Sequence, residues 1–266
     1  MSISRIISKG LSCGHAIFSL RKVVEHYVAG GSTVNVCLLD LSKAFHKTNH
    51  FALYLKLMDR PVPIQILSVL ENWLSWCMSC VKLGSAYSYF DELNFDELKS
   101  GVRQRGVLSP FLFAIFIDDL VKLIDTANIG CKTGGSCTSI FLYADDIILL
   151  APSAQALQSL VDICELELKR LDMAINASKS ACMRFRPRYK STCANVIVSG
   201  LKINWVSSHR YLCVYLESSF NLKISYTANK AGFYKSFNAI YGKVGRTASE
   251  EVLFALLKSK CLQILL

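Results

Sequence analysis

The feature that most constrains this chain is a pair of adjacent carboxylates in the middle of an apolar run. Residues 141–151 read FLYADDIILLA, with Asp145 and Asp146 at the centre. Two neighbouring anions are costly to bury unless something neutralises them. Successive strand residues point to opposite faces, so a turn is needed before both can serve one site. The run therefore predicts a tight hairpin, with the acids at an exposed tip or around a bound divalent cation, which prefers carboxylate and phosphate oxygens. A third acid, Asp40, follows the apolar stretch VNVCLL at residues 34–39. Alone, an Asp in that place is more commonly a helix or turn cap. Three carboxylates at strand ends would meet the requirement of two-metal phosphoryl transfer.

The rest of the pattern mixes strands and helices without regular βαβ alternation. That predicts an α+β fold with a mostly antiparallel sheet. Strands are expected at 34–39, 139–150, 181–186, 195–204 and 210–217, with a hairpin entering a loop over 79–98. Helices are expected at 50–59, 63–76, 110–125 with Pro110 at its start, 153–175 behind a Ser153 N-cap, 224–242 and 248–264. Residues 90–99 repeat five residues, FDELN FDELK. A period of five is no structural repeat, and a short tandem duplication in a tolerant loop accounts for it.

Charge narrows the partner. Residues 179–246 hold twelve Lys or Arg and one acid, Glu217, whereas the remainder is nearly neutral within a total of +10. Such asymmetry suggests a polyanion, nucleic acid first. At 52% hydrophobic and 19% charged residues, disorder is excluded. No uncharged apolar run reaches the roughly 18 to 20 residues of a membrane span. The N-terminus lacks the apolar core and cleavage site of a secretory signal, so an intracellular protein of nucleus or cytoplasm is expected. The eleven cysteines are odd in number, scattered and mostly within apolar runs, and read as reduced thiols. The lone CxxC, Cys77 and Cys80, has no second pair for a zinc site.

Five segments in order carry a resemblance: CLLDLSKAF, SGVRQRGVLSPFLF, FLYADDIILLAPS, LDMAINASKSACMRF and HRYLCVYLESS. They closely resemble motifs A to E of reverse transcriptases from non-LTR retrotransposons, in the jockey-like group. The resemblance implies a right-hand polymerase fold: partial fingers at 1–33, palm at 34–218, and the helical start of a thumb or connection at 219–266. It implies RNA-directed DNA synthesis with two Mg²⁺ ions (Mn²⁺ as a substitute), an RNA template, a DNA primer and dNTPs, with no membrane and no obligate protein partner. Asp40, Asp145, Asp146 and the Leu41 carbonyl match the metal ligands. Phe45 matches the gate beneath the incoming sugar, and Gln104 the motif B glutamine near the nucleotide, with Arg105 beside it. Lys179 matches the motif D lysine that approaches the leaving pyrophosphate. Tyr211, Leu212 and Tyr215 match the hairpin that grips the primer.

Three positions depart from the family. His46 stands where Asp is usual, Arg105 where Gly follows the glutamine, and Cys213 where motif E has Gly. Together with the duplication they read as lesions of a decaying copy. The alternative expectation is therefore a truncated or decayed fragment that retains only nucleic-acid binding.

Overall fold

The computed structural model describes residues 13–42, 44–75, 79–83, 86–90, 101–102, 106–187, 193–245 and 247–265. In chain order they form α1 (Cys13–Ala29), β1 (Val34–Leu39), β2 (Leu41–Ser42), a 3₁₀ turn (Ala44–Lys47), α2 (His50–Met58) and α3 (Ile64–Ser75). Then come β3 (Ser79–Leu83), β4 (Ala86–Phe90), α4 (Ser109–Phe116), α5 (Asp118–Ala127), β5 (Lys132–Thr133) and β6 (Ser136–Cys137). The centre of the chain gives β7 (Ile140–Tyr143), β8 (Asp146–Ala151), α6 (Ala154–Arg170) and β9 (Ala174–Ile175). Last are β10 (Ala181–Phe185), β11 (Val196–Val198), β12 (Leu201–Trp205), β13 (Ser208–Tyr211), β14 (Val214–Ser218), β15 (Leu222–Ser225), α7 (Thr227–Val244), α8 (Glu250–Leu256), a π-helical stretch (Leu257–Cys261) and α9 (Leu262–Leu265).

A six-stranded sheet in the order β11-β12-β10-β1-β8-β7 organises the molecule. β1 pairs antiparallel with both β8 and β10. All six of its residues are buried, which a strand covered on both faces requires. Cys37 and Leu39 face one core, shared with α2 and α4–α6. Val34, Val36 and Leu38 face the other, shared with α1 and the β13-β14-β15 meander. The fold is α+β, with a mostly antiparallel sheet packed on helices, as expected.

Several elements differ in detail. The helix expected over 110–125 is two helices, broken at Ile117 with φ −99° and ψ 8°. Asp118 then opens α5 buried, paired with Arg60 and Lys122. The helix expected to reach Ile175 ends at Arg170, and Asp172 has φ +56°. The chain turns there so that β9 can pair with β2. The single strands expected at 195–204 and 210–217 are each a hairpin. Ser199 and Gly200 turn the first with positive φ, and Leu212 and Cys213 turn the second at +43° and +67°. The 79–98 expectation holds for the β3-β4 pair, and its remainder lies outside the described residues, as does the five-residue repeat after Phe90. Among the described residues no helix is long and apolar enough to cross a membrane.

Candidate active site

Asp145 is exposed on the two-residue turn between β7 and β8, and Asp146 is half-buried as the first residue of β8. Tyr143 faces Asp146 across this turn. Ala144 between them adopts φ +53°, a conformation that costs an L-residue about 1 kcal/mol. The hairpin delivers what the apolar run predicted: two carboxylates at the end of buried strands.

Asp40 follows β1, and the next strand over fixes it. β10 runs against β1 from Val34↔Phe185 to Leu38↔Ala181. The pairing ends there, and Asp40 lies just past it, against the loop that carries Lys179. The backbone around Asp40 is held from the same segment. Its N–H donates to Ser180 Oγ at 3.1 Å, and its C=O accepts from Asn176 N at 2.8 Å. Asn176 Oδ1 in turn accepts from the Ser178 and Lys179 amides, holding the loop that carries Lys179. Leu41 is buried and pairs with Ile175.

Asp40, Asp146 and Lys179 line one cavity of about 100 Å³, together with His209, Arg210 and Tyr211. Burial pushes the Asp146 carboxyl up to about 6, and repulsion from Asp145 and then Asp40 adds to the rise. Burial lowers the His209 imidazole, against the pull of the Asp40 charge. Tyr211 is raised by burial first and then by Asp146, Cys13 and Tyr143. A divalent cation would relieve the crowding of the three acids, so the donor set suits one. Among the described residues, however, no three His, Cys, Asp or Glu side chains already converge on a single ion position.

The remaining expected residues divide. Phe45 is half-buried on the 3₁₀ turn and packs on Phe113, ring centroids 5.1 Å apart. Its C=O accepts from Val102 N, and Thr48 O accepts from Gly101 N, so the chain entering motif B is tied beside Phe45. Gln104 and Arg105 lie outside the described residues. Leu212 is at the β13-β14 turn, packed on the α1 core. Tyr215 is exposed and pairs with Arg210 across the hairpin. The CxxC pair lies outside the described side chains, and the described cysteines are free thiols.

His209 and Arg210 open the motif E segment HRYLCVYLESS, but sequence reasoning gave a role only to Tyr211, Leu212 and Tyr215. Period-two alternation along SHRY would have found His209, since it shares a strand face with Tyr211. A larger cavity of about 290 Å³ lies between α7 and α8, lined by Phe237, Tyr241, Leu253 and Phe254 with one acid, Glu250. It lacks the convergent polar groups that the smaller one holds.

Residues 7–216 match the family described as reverse transcriptase (RNA-dependent DNA polymerase). The RNA-directed DNA polymerase from mobile element jockey of Drosophila funebris is 27% identical over 222 residues, 81% of this chain and 22% of that protein. The Pol polyprotein from the type-2 retrotransposable element R2DM of Drosophila melanogaster is 27% identical over 157 residues, 58% of this chain and 14% of that protein. The chain thus spans less than a quarter of either relative. Among solved structures, apo telomerase from Candida tropicalis, truncated from its C-terminal domain, superposes with a TM-score of 0.54 at 13% identity, over 85% of this chain and 41% of that one. Candida tropicalis telomerase with a fragment of telomeric RNA gives 0.57 at 12% identity, over 100% of this chain and 42% of that one. Likeness at that identity concerns the fold, a right-hand polymerase.

Proposed function

Since the chain belongs to the reverse transcriptase family, we propose that it is the nucleotide-adding core of an RNA-directed DNA polymerase from a non-LTR retrotransposon. The observation that carries this reading is the single cavity shared by Asp40, Asp146 and Lys179, with Asp145 on the adjoining turn. Residues 34–218 act as palm, 1–33 as part of the fingers, and 219–266 as the start of a thumb.

Asp40, Asp145, Asp146 and the Leu41 carbonyl would hold Mg²⁺. When bound, the ions supply positive charge that lowers the pKa of the primer 3′-hydroxyl and offsets the charge of the leaving pyrophosphate. The chain's own groups do the remainder. Lys179 approaches the pyrophosphate and donates a proton to it. Phe45, held against Phe113, fills the space a 2′-hydroxyl would need. By their match to motif B, Gln104 and Arg105 are assigned to binding the incoming dNTP. Tyr211 walls the cavity beside Asp146, while Leu212 and Tyr215 carry the hairpin toward the primer end. His209 and Arg210 bring a ring and a cation to the same wall, suited to a primer phosphate on an RNA template.

A second reading, a fold that binds nucleic acid without extending it, draws support from Cys213, an L-residue at φ +67° where the family has Gly. Extension of oligo(dT) on poly(rA) with dTTP and Mg²⁺ separates the two. The first reading expects extension that Asp40→Asn and Asp146→Asn each abolish. The second expects hybrid binding without extension, restored by Arg105→Gly more than by His46→Asp. Extension that survives both Asp variants would defeat the proposed site.

A further inference from the structure

The Tyr143 hydroxyl has a partner from far along the chain. Cys13, the first residue of α1, donates its thiol hydrogen to Tyr143 Oη at 3.2 Å. The two are 130 residues apart. Tyr143 is the last residue of β7 and lies across the turn from Asp146. The thiol therefore reaches the hairpin at the rung that launches both carboxylates.

That rung needs outside support. The turn joining Tyr143 to Asp146 has only two residues, and Ala144 sits in the left-handed region without being glycine. Asp145 is exposed, and among the described residues no hydrogen bond or ion pair of its side chain holds the tip from its own side. On the sheet side, β8 is fixed by β1, whereas β7 is an edge strand that, among the described residues, pairs only with β8. Packing of α1 over β7 leaves the Cys13–Tyr143 bond as the hydrogen bond that ties this edge to another element at the level of the acids.

We propose that Cys13 is a positioning residue for the Asp145–Asp146 turn, anchoring Tyr143 to α1 and so fixing the direction in which the two carboxylates meet Asp40. The proposal rests on the reading of these acids as the cation site. A thiol is a weak donor and acts here through one intermediary. Its loss should cost on the order of threefold to tenfold in cation affinity, below the 10- to 100-fold typical of groups bonded directly to a ligand.

The test measures Mn²⁺ binding to the full chain by electron paramagnetic resonance, alongside primer extension. Cys13→Ala and Tyr143→Phe should each weaken Mn²⁺ binding by that factor, and the double variant should lose no more than either alone. Cys13→Ser, which keeps a donor, should recover most of the affinity. In extension at saturating Mn²⁺, kcat should fall while the KM for dNTP stays constant. Wild-type Mn²⁺ affinity in Cys13→Ala, or losses that multiply in the double variant, would overturn the proposal. Asp146→Asn keeps the two readings apart. If it abolishes Mn²⁺ binding while Cys13→Ala is silent, positioning alone fails. If it leaves Mn²⁺ binding intact, the cation site fails and takes the proposal with it.

Discussion

Among the described carboxylates, Asp146 is the one whose surroundings most oppose its charge. Its carboxyl is pushed up to about 6 from an ordinary 3.8, by burial first and then by Asp145 and Asp40. The sign follows from proton linkage. Between pH 4 and 6 the native state holds a proton that the unfolded chain has released. This contribution favours folding at low pH and is lost as pH rises through about 6. Without metal, Asp146→Asn should therefore be more stable than wild type at pH 8 by roughly 1–2 kcal/mol, after discounting for partial exposure. The gap should close toward pH 4. Urea denaturation in chelator at the two pH values checks this, and added Mg²⁺ should reverse the order by stabilising only the wild type. Cys213 offers a second residue-scale test. With Leu212 it forms a two-residue turn in which both φ are positive, a geometry that favours Gly or Asn. Cys213→Gly should raise stability by about 1 kcal/mol, visible as a higher Tm, and the same change to Leu216 in the buried face of β14 should lower it.

At the scale of elements, α6 shows how a helix can finish a sheet. Ser153 caps it by accepting from Ala156 N at 3.1 Å. From the second turn Gln158 then presents its amide to the outermost strand, β11. Its Oε1 accepts from Ile197 N at 2.8 Å and its Nε2 donates to Ile197 O at 2.9 Å. The side chain thus stands in for a neighbouring strand at an edge that would otherwise be open. Two turns on, Glu165 accepts from the Ser199 amide and hydroxyl at the β11-β12 turn. Gln158→Ala should speed hydrogen exchange at the Ile197 amide by an order of magnitude or more while moving Tm little, because one edge opens locally and the core does not. Exchange at Leu149 in the central sheet serves as the control, and equal acceleration there would mean that Gln158 supports the whole fold.

For the whole molecule, the basic excess of residues 179–246 is spread over several elements with different tasks. Lys179 and Arg210 line the acidic cavity. Lys230, Lys235 and Lys243 lie on α7, a helix without a single acid. Arg186 is occupied within the fold, bonded to Val28 O and set over the Phe220 ring. Binding of an RNA–DNA hybrid should weaken steeply with salt, since each neutralised phosphate releases counterions. Lys179→Ala and Lys230→Ala should each lower the salt slope by about one, whereas Arg186→Ala should cost stability and leave the slope unchanged. Fluorescence anisotropy across a salt series reads both effects, and a slope indifferent to Lys179 and Lys230 would remove them from the interface.

What the sequence determined by itself was local in origin. The apolar run of β1, the YADD hairpin, the Ser153 cap and the Pro110 helix start are each written in a few neighbouring residues, and the ordered motifs carried the family. Local pattern could not separate α4 from α5, because the break at Ile117 serves the burial of Asp118 against Arg60, far away in sequence. Nor could it show that 210–217 folds back on itself, where the turn uses Leu212 and Cys213 rather than the residues that normally mark positive φ, whereas at 195–204 the Ser199-Gly200 turn was marked by its glycine and was passed over. The site was legible as a set of acids but not as a place. Asp40 shares a cavity with Lys179 only because β10 takes one antiparallel register against β1, and register is settled by which faces of two distant strands can be buried together. The same packing brings His209 and Arg210 to the cavity wall and Cys13 to Tyr143. Such contacts depend on chain segments more than a hundred residues apart finding one geometry, and only the tertiary structure decides that.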